Sequence, residues 1–245
     1  MKISIVAEEI FKIGNFAVTN SLLASWIAFL ILLIFSTICY FQIKKNGKLT
    51  AFLHIVFEGL IGFMESFAGS RERAKKYLPF VGTIFLYILA SNWVGSLPGV
   101  ETIGLNRGGE FVPFLRTANA DINMTLALAI ILVVSTHVIG FTKLGVKNHL
   151  GKFLANPFKK PMGFFVGMLE IVGEVSRIIS LTFRLFGNIF AGSVLIIIIS
   201  SLVPYIVPIP FLGMELFVGF IQALIFAALA MIFLSSAETL HSEEH

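Results

Sequence analysis

Apolar residues run in blocks long enough to cross a bilayer, and polar residues fall mostly in the gaps between them. A helix needs about 20 apolar residues to span a hydrocarbon core of roughly 30 Å. The first block covers residues 21–41. It reads as an uncleaved anchor, because residues 1–20 carry Glu8 and Glu9 and lack the apolar centre of a signal peptide. Further spans are predicted at residues 79–97 and 121–141. Between the first two spans, residues 51–69 mix apolar positions with His54, Glu58 and Glu65 close to one helical face, which predicts an amphipathic helix along the membrane surface. Residues 98–120, rich in glycine and proline, read as a loop.

The last third departs from this rhythm. No proline falls between residues 162 and 203, and a continuous helix there would be about 60 Å long, roughly twice the hydrocarbon thickness. The segment is either two helices broken near Gly187 and Gly192 or one helix lying steeply tilted. Its polar residues favour tilting: at 100° per residue Glu170, Glu174, Arg177, Arg184 and Asn188 fall within a sector of about 80°. Lipid would not tolerate such a stripe, so it faces protein or water. Pro204, Pro208 and Pro210 make the turn into a second long apolar helix at residues 211–236, on which Glu215 and Gln222 share a face. The chain 1–245 thus reads as one all-α membrane domain with about five crossing helices, a surface helix and a final tilted hairpin.

Composition agrees with a membrane protein. The chain is 57% hydrophobic and 13% charged, against about a quarter charged in a soluble domain. The net charge of +4 would suggest a nucleic-acid partner in a soluble chain, but here topology accounts for it. Segments 42–78 and 142–161 hold twelve Lys and Arg, including Lys44, Lys45, Lys48, Lys152, Lys159 and Lys160, whereas the N-terminus and the 98–120 loop hold four, Lys2, Lys12, Arg107 and Arg116. The two basic segments are expected on the cytoplasmic side. The N-terminus is then outside, and residues 237–245, with His241 and His245, form a cytoplasmic tail. A single cysteine, Cys39, excludes an internal disulfide or a cysteine-based metal site. His54, His137 and His149 show no metal-ligand spacing and read as loop or interface residues.

The candidate chemistry centres on Ser180-Leu-Thr-Phe-Arg184-Leu-Phe-Gly-Asn188-Ile-Phe-Ala-Gly192. An arginine at a membrane helix centre costs about 2.5 to 3.5 kcal/mol on insertion scales and keeps its proton at physiological pH. With the expected topology, Glu170 and Glu174 lie near the cytoplasmic start of the long helix and Glu215 near the external start of the last one. Two acidic approaches from opposite sides, separated by a permanent cation, are what an ion path with a central barrier requires. Arg177 either pairs with Glu174 or Glu170 or joins that path. Asp121, with Asn119 and Asn123, either starts a helix or contributes to the path.

The block around Arg184 closely resembles the signature of the subunit a family of F-type ATP synthases. The opening of the third span, Asn119-Ala-Asp121-Ile-Asn123-Met-Thr125, fits as well, as do Glu170 ahead of the arginine and Gln222 in the last helix. One departure stands out: nine residues after the arginine, where the family often has an acidic or histidine side chain, this chain has Ser193. Many members carry a histidine where Glu215 stands.

The resemblance implies a stator beside an oligomeric ring of c subunits, with the peripheral-stalk subunit b and the rest of the ATP synthase as further partners. No catalytic residue, cofactor or metal is implied. The site residues implied are Arg184, Glu215, Gln222, Asn188, Glu170, Glu174 and Asp121, with Arg177, Ser193, Asn119, Asn123 and Ser180 as further candidates. An ion channel or secondary transporter would also place Glu and Arg in the membrane, but the repeated halves common in transporters are absent. An intramembrane enzyme would need a metal or nucleophile motif, and no His-Glu-x-x-His occurs.

Overall fold

The computed structural model describes residues 7–43, 48–97, 99–100, 103–107, 110–151, 153, 161–204 and 206–238. Lys2, Lys44, Lys45, Lys152, Lys159, Lys160, His241 and His245 lie outside the described residues. Among the described residues seven α-helices follow in order: α1 Asn20–Ile43, α2 Lys48–Ala68, α3 Arg71–Ser96, α4 Ile122–Leu144, the short α5 Val146–Gly151, α6 Pro161–Leu202 and α7 Pro208–Glu238. All but α5 are long and apolar enough to cross a membrane. That set includes α2, expected on the membrane surface.

The last hairpin resolves the alternative left by its sequence. Helix α6 is continuous over 42 residues, with no break at Gly187 or Gly192. Pro161 stands at its first position, where a missing N–H costs nothing, and Pro204 follows its end. Five of the six residues 194–199 are β-branched, a run that favours strand in water. In hydrocarbon, however, only a helix satisfies every backbone group within the segment.

Helix α3 begins eight residues before the expected span. Ser70 caps it by accepting a hydrogen bond from the Arg73 N–H at 3.3 Å, Glu72 lies in its first turn, and Pro79 is accommodated inside it. Gly69, at φ +73°, makes the two-residue turn from α2. Two short antiparallel hairpins add strand to the expected all-helical class: β1 Glu9–Ile13 with β2 Phe16–Thr19, and β3 Gly104–Arg107 with β4 Glu110–Pro113. The first turns at Gly14 and Asn15, and Gly14 has φ +62°.

Helices α2, α3, α4, α6 and α7 share one apolar core, with Met64, Val81, Ile88, Leu132, Leu185, Ile189, Met231 and Leu234 almost fully buried. The closest partnership is α3 with α7. Buried Gly219, Ala223, Ala227 and Ala230 let α7 approach neighbouring backbone closely. Asn20 joins the two hairpins: its Nδ2 donates to Pro113 O at 3.5 Å, and its Oδ1 accepts from Glu8 N at 3.3 Å. The start of α1, the end of α3 and the start of α4 therefore share one end of the molecule. At the other end the start of α3 meets the end of α7, where Lys76 and Arg73 pair with Glu238.

Candidate functional site

The polar residues of α6 and α7 fall at three levels. Near the hairpin end, Ser193 Oγ donates to Glu215 Oε1 at 3.1 Å, and both side chains are buried. Gly192 lies against the Glu215 carboxyl, and a Cβ there would meet it at ordinary van der Waals distance. Ser96, at the end of α3, stands beside this carboxyl. A buried network continues from it. Ser96 Oγ donates to Asn92 O at 2.9 Å, Asn92 Nδ2 to Gly219 O at 3.1 Å, and Asn119 Nδ2 to Asn92 Oδ1 at 2.8 Å. Ser91 Oγ, Thr117 Oγ1 and Asn119 Oδ1 are buried beside it without a protein hydrogen-bond partner. Burying a polar atom unpaired costs about 1–3 kcal/mol, so this concentration at one end of the bundle is not a packing device.

Asn92 and Ser96 were not singled out in the sequence. The signal is present: Ser91, Asn92 and Ser96 interrupt an otherwise apolar span, with the last two one helical turn apart. Asn119 is fully buried within a single 3-10 turn, Ala118–Ala120, that leads into α4. Asp121 caps α4, accepting from Asn123 N at 2.9 Å and Asn123 Nδ2 at 3.1 Å. The helix-start reading of Asp121 and Asn123 therefore holds structurally, and the Asp121 carboxyl is turned onto its own helix.

At the middle level, Arg184 lies on an exposed face of α6 and donates from Nη2 to Ser180 Oγ at 3.2 Å. Among the described residues no carboxylate lies within ion-pair distance of it. Arg184 and Gln222 line one shallow cleft between α6 and α7, with Leu181, Leu185, Ile225, Phe226 and Leu229. Gly173, Ser176, Ser180, Asn188 and Ala191 share the exposed face of α6, and beyond Gly173 and Gly187 a Cβ would meet only open space. Asn188 stands one turn from Arg184, exposed.

The third level lies toward the other end of the molecule, about 15 Å along α6 from Arg184. Arg177 Nη1 donates to both Glu174 oxygens, at 2.8 and 2.9 Å, and its guanidinium lies 4.2 Å from the Phe233 ring centroid on α7. Arg177 thus pairs with Glu174 and not Glu170, which is exposed one turn earlier. His137 of α4 faces the same carboxylate, with Nε2 3.8 Å from Glu174 Oε2.

Fold and site together define a multi-pass helical membrane protein with ionisable side chains at three depths of one helix pair. The family described as ATP synthase A chain matches residues 22–235, and the chain belongs to that family. It is 35% identical to ATP synthase subunit a of Geotalea daltonii over 87% of this chain and 85% of that one. Against ATP synthase subunit a of Mycobacterium ulcerans the identity is 36%, over 93% of this chain and 90% of the relative. The subunit of Citrifermentans bemidjiense is 37% identical over 76% and 77% of the two chains.

Proposed function

We propose that the chain is the non-catalytic stator subunit of a rotary ATP synthase, with two offset proton half-channels that meet a ring of carboxylates at Arg184. Membership of the ATP synthase A chain family supports the coarser part, a proton-translocating role in the membrane sector. The observation that carries the finer part is Arg184 itself: an exposed guanidinium at mid-helix, without a carboxylate partner among the described residues, on a face of small side chains. The missing counter-charge comes from the ring. A ring carboxylate facing lipid is neutral, because ionisation there is prohibitive, and beside Arg184 it ionises.

The reloading side runs from Glu215 and Ser193 past Asn92, Ser96 and Asn119 toward Gln222 and Asn188. Asp121 stands at its edge, engaged as a cap. The release side runs through Glu174 and Glu170. Arg184 repels a proton that would cross directly, so flow requires rotation. The membrane potential supplies about 2.3 kcal/mol per proton per 100 mV.

The ring and the peripheral-stalk subunit b are the proposed neighbours. The twelve basic residues of segments 42–78 and 142–161 favour a cell inner-membrane orientation with the N-terminus outside and the C-terminus cytoplasmic. On that reading α2 lies along the cytoplasmic surface, held by Arg71 against Glu58 and Glu65. The test is Arg184→Ala in vesicles bearing the whole complex. ATP-driven acidification is expected to vanish while passive proton leak persists after the catalytic head is stripped. Pumping at wild-type level would overturn the reading.

A further inference from the structure

His137 and His149 are twelve residues apart, yet Gly145, at φ +78°, turns α5 back along α4 and brings His137 Nδ1 within 3.1 Å of His149 Nε2. Several features build this pair in. A Cβ at Gly140 would overlap the His149 ring, so the glycine is the seat of that imidazole. Phe141 and Phe153 pack edge-on against it, with ring centroids 4.6 and 5.7 Å away, and His149 is 5% exposed. The second nitrogen of His137 points toward Glu174, itself held by Arg177. The groups around His137 are therefore His149 and Phe153 from the α5 side and, from α6, Glu174 with the Arg177 that holds it.

Only one proton fits between two facing imidazole nitrogens. When His137 donates it from Nδ1 to His149 Nε2, His137 Nε2 presents a lone pair to a carboxylate. A proton bound at that nitrogen stands between the imidazole and the Glu174 carboxyl, so the carboxylate faces the atom that gains it. Arg177 keeps that carboxylate oriented, while its own charge opposes a second cation there and so favours onward release of the proton.

We propose that His137, with its tautomer set by His149, is a proton-carrying residue at the Glu174 end of the path. This rests on the reading of Glu174 and Glu170 as the release side. A proton leaving the ring carboxylate binds the Nε2 lone pair of neutral His137. The new N–H bond then breaks as water on that side takes the proton, and neutral imidazole is restored. No electrons change hands. His149 is a positioning residue in this step.

The complete ATP synthase containing this chain is tested in inverted vesicles, with passive proton conductance after removal of the head measured over about pH 6 to 9. His137→Ala is expected to lower conductance about tenfold, and free imidazole added to the bath to restore much of it. His149→Gln, which leaves His137 in place, is expected to displace the pH profile. Normal conductance and profile in both variants overturns the proposal, as does a loss in His137→Ala that imidazole does not restore. If His137→Ala fails to assemble, His149→Gln decides: an unchanged pH profile overturns it. Arg184→Ala, run in parallel, separates the two levels. If it pumps normally the stator reading fails, whereas if it behaves as expected while the histidine variants match wild type, only this inference fails.

Discussion

Ser193 on α6 and Glu215 on α7 hold one hydrogen bond of 3.1 Å across the hairpin, both of them buried. This chain carries a hydroxyl on the first helix of the hairpin and the carboxyl on the second. Glu215→Gln is expected to lower ATP-driven acidification about tenfold or more, because the amide keeps the shape and loses the exchangeable proton. Ser193→Ala removes only one partner and is expected to cost a few-fold. Vesicle acidification measures both, and equal effects would contradict a division into carrier and supporting residue.

A second prediction concerns the form of the central charge. Arg184→Lys keeps a cation but lacks the planar fork, and a buried lysine sheds its proton where arginine does not. Pumping is expected to fall about tenfold or more at unchanged subunit abundance. Near-normal pumping with lysine would show that a point charge suffices.

Asp121 separates a structural from a titrating role. Asparagine caps helices as well as aspartate does, whereas alanine forfeits about 0.5–2 kcal/mol. Asp121→Asn is expected to leave subunit abundance and pumping close to wild type, and Asp121→Ala to reduce abundance on immunoblots of membranes. Abolished pumping in the asparagine variant would place the carboxyl in the path.

Two glycines test packing against docking. A Cβ at Gly95 would overlap Thr117, so Gly95→Ala is expected to prevent stable folding and deplete the subunit. A Cβ at Gly187 meets only open space within this chain. Gly187→Ala is therefore expected to fold normally yet slow ATP synthesis if, as proposed, this face meets the ring, because the added methyl stands on it. Normal synthesis by a fully assembled Gly187→Ala enzyme would argue that this face is not in close contact.

Much of this was legible in the chain because hydrocarbon enforces it. Long apolar runs have one way to satisfy their backbone, so the helices could be located from hydropathy, and α6 stayed helical through its β-branched run. Element starts were less legible. Ser70 caps α3 well ahead of Pro79, and the hairpin at Gly14 and Asn15 went unnoticed beside the stronger apolar signal, although a Gly-Asn pair between Ile13 and Phe16 marks such a turn.

By itself the sequence determined the class of protein and its fixed charge: Arg184 in an apolar helix, with Glu215 and Gln222 on one face of the next. The tertiary structure alone decided which polar groups meet. Asn92 reaches Gly219, one turn from Glu215, only because α3 packs on α7, and His137 reaches His149 only because α4 and α5 fold back over Gly140. The physical reason is one of range. Hydropathy and helical period constrain neighbours along one helix, whereas a hydrogen bond near 3 Å between helices depends on depth and rotation, which side chains scattered through the whole core set together.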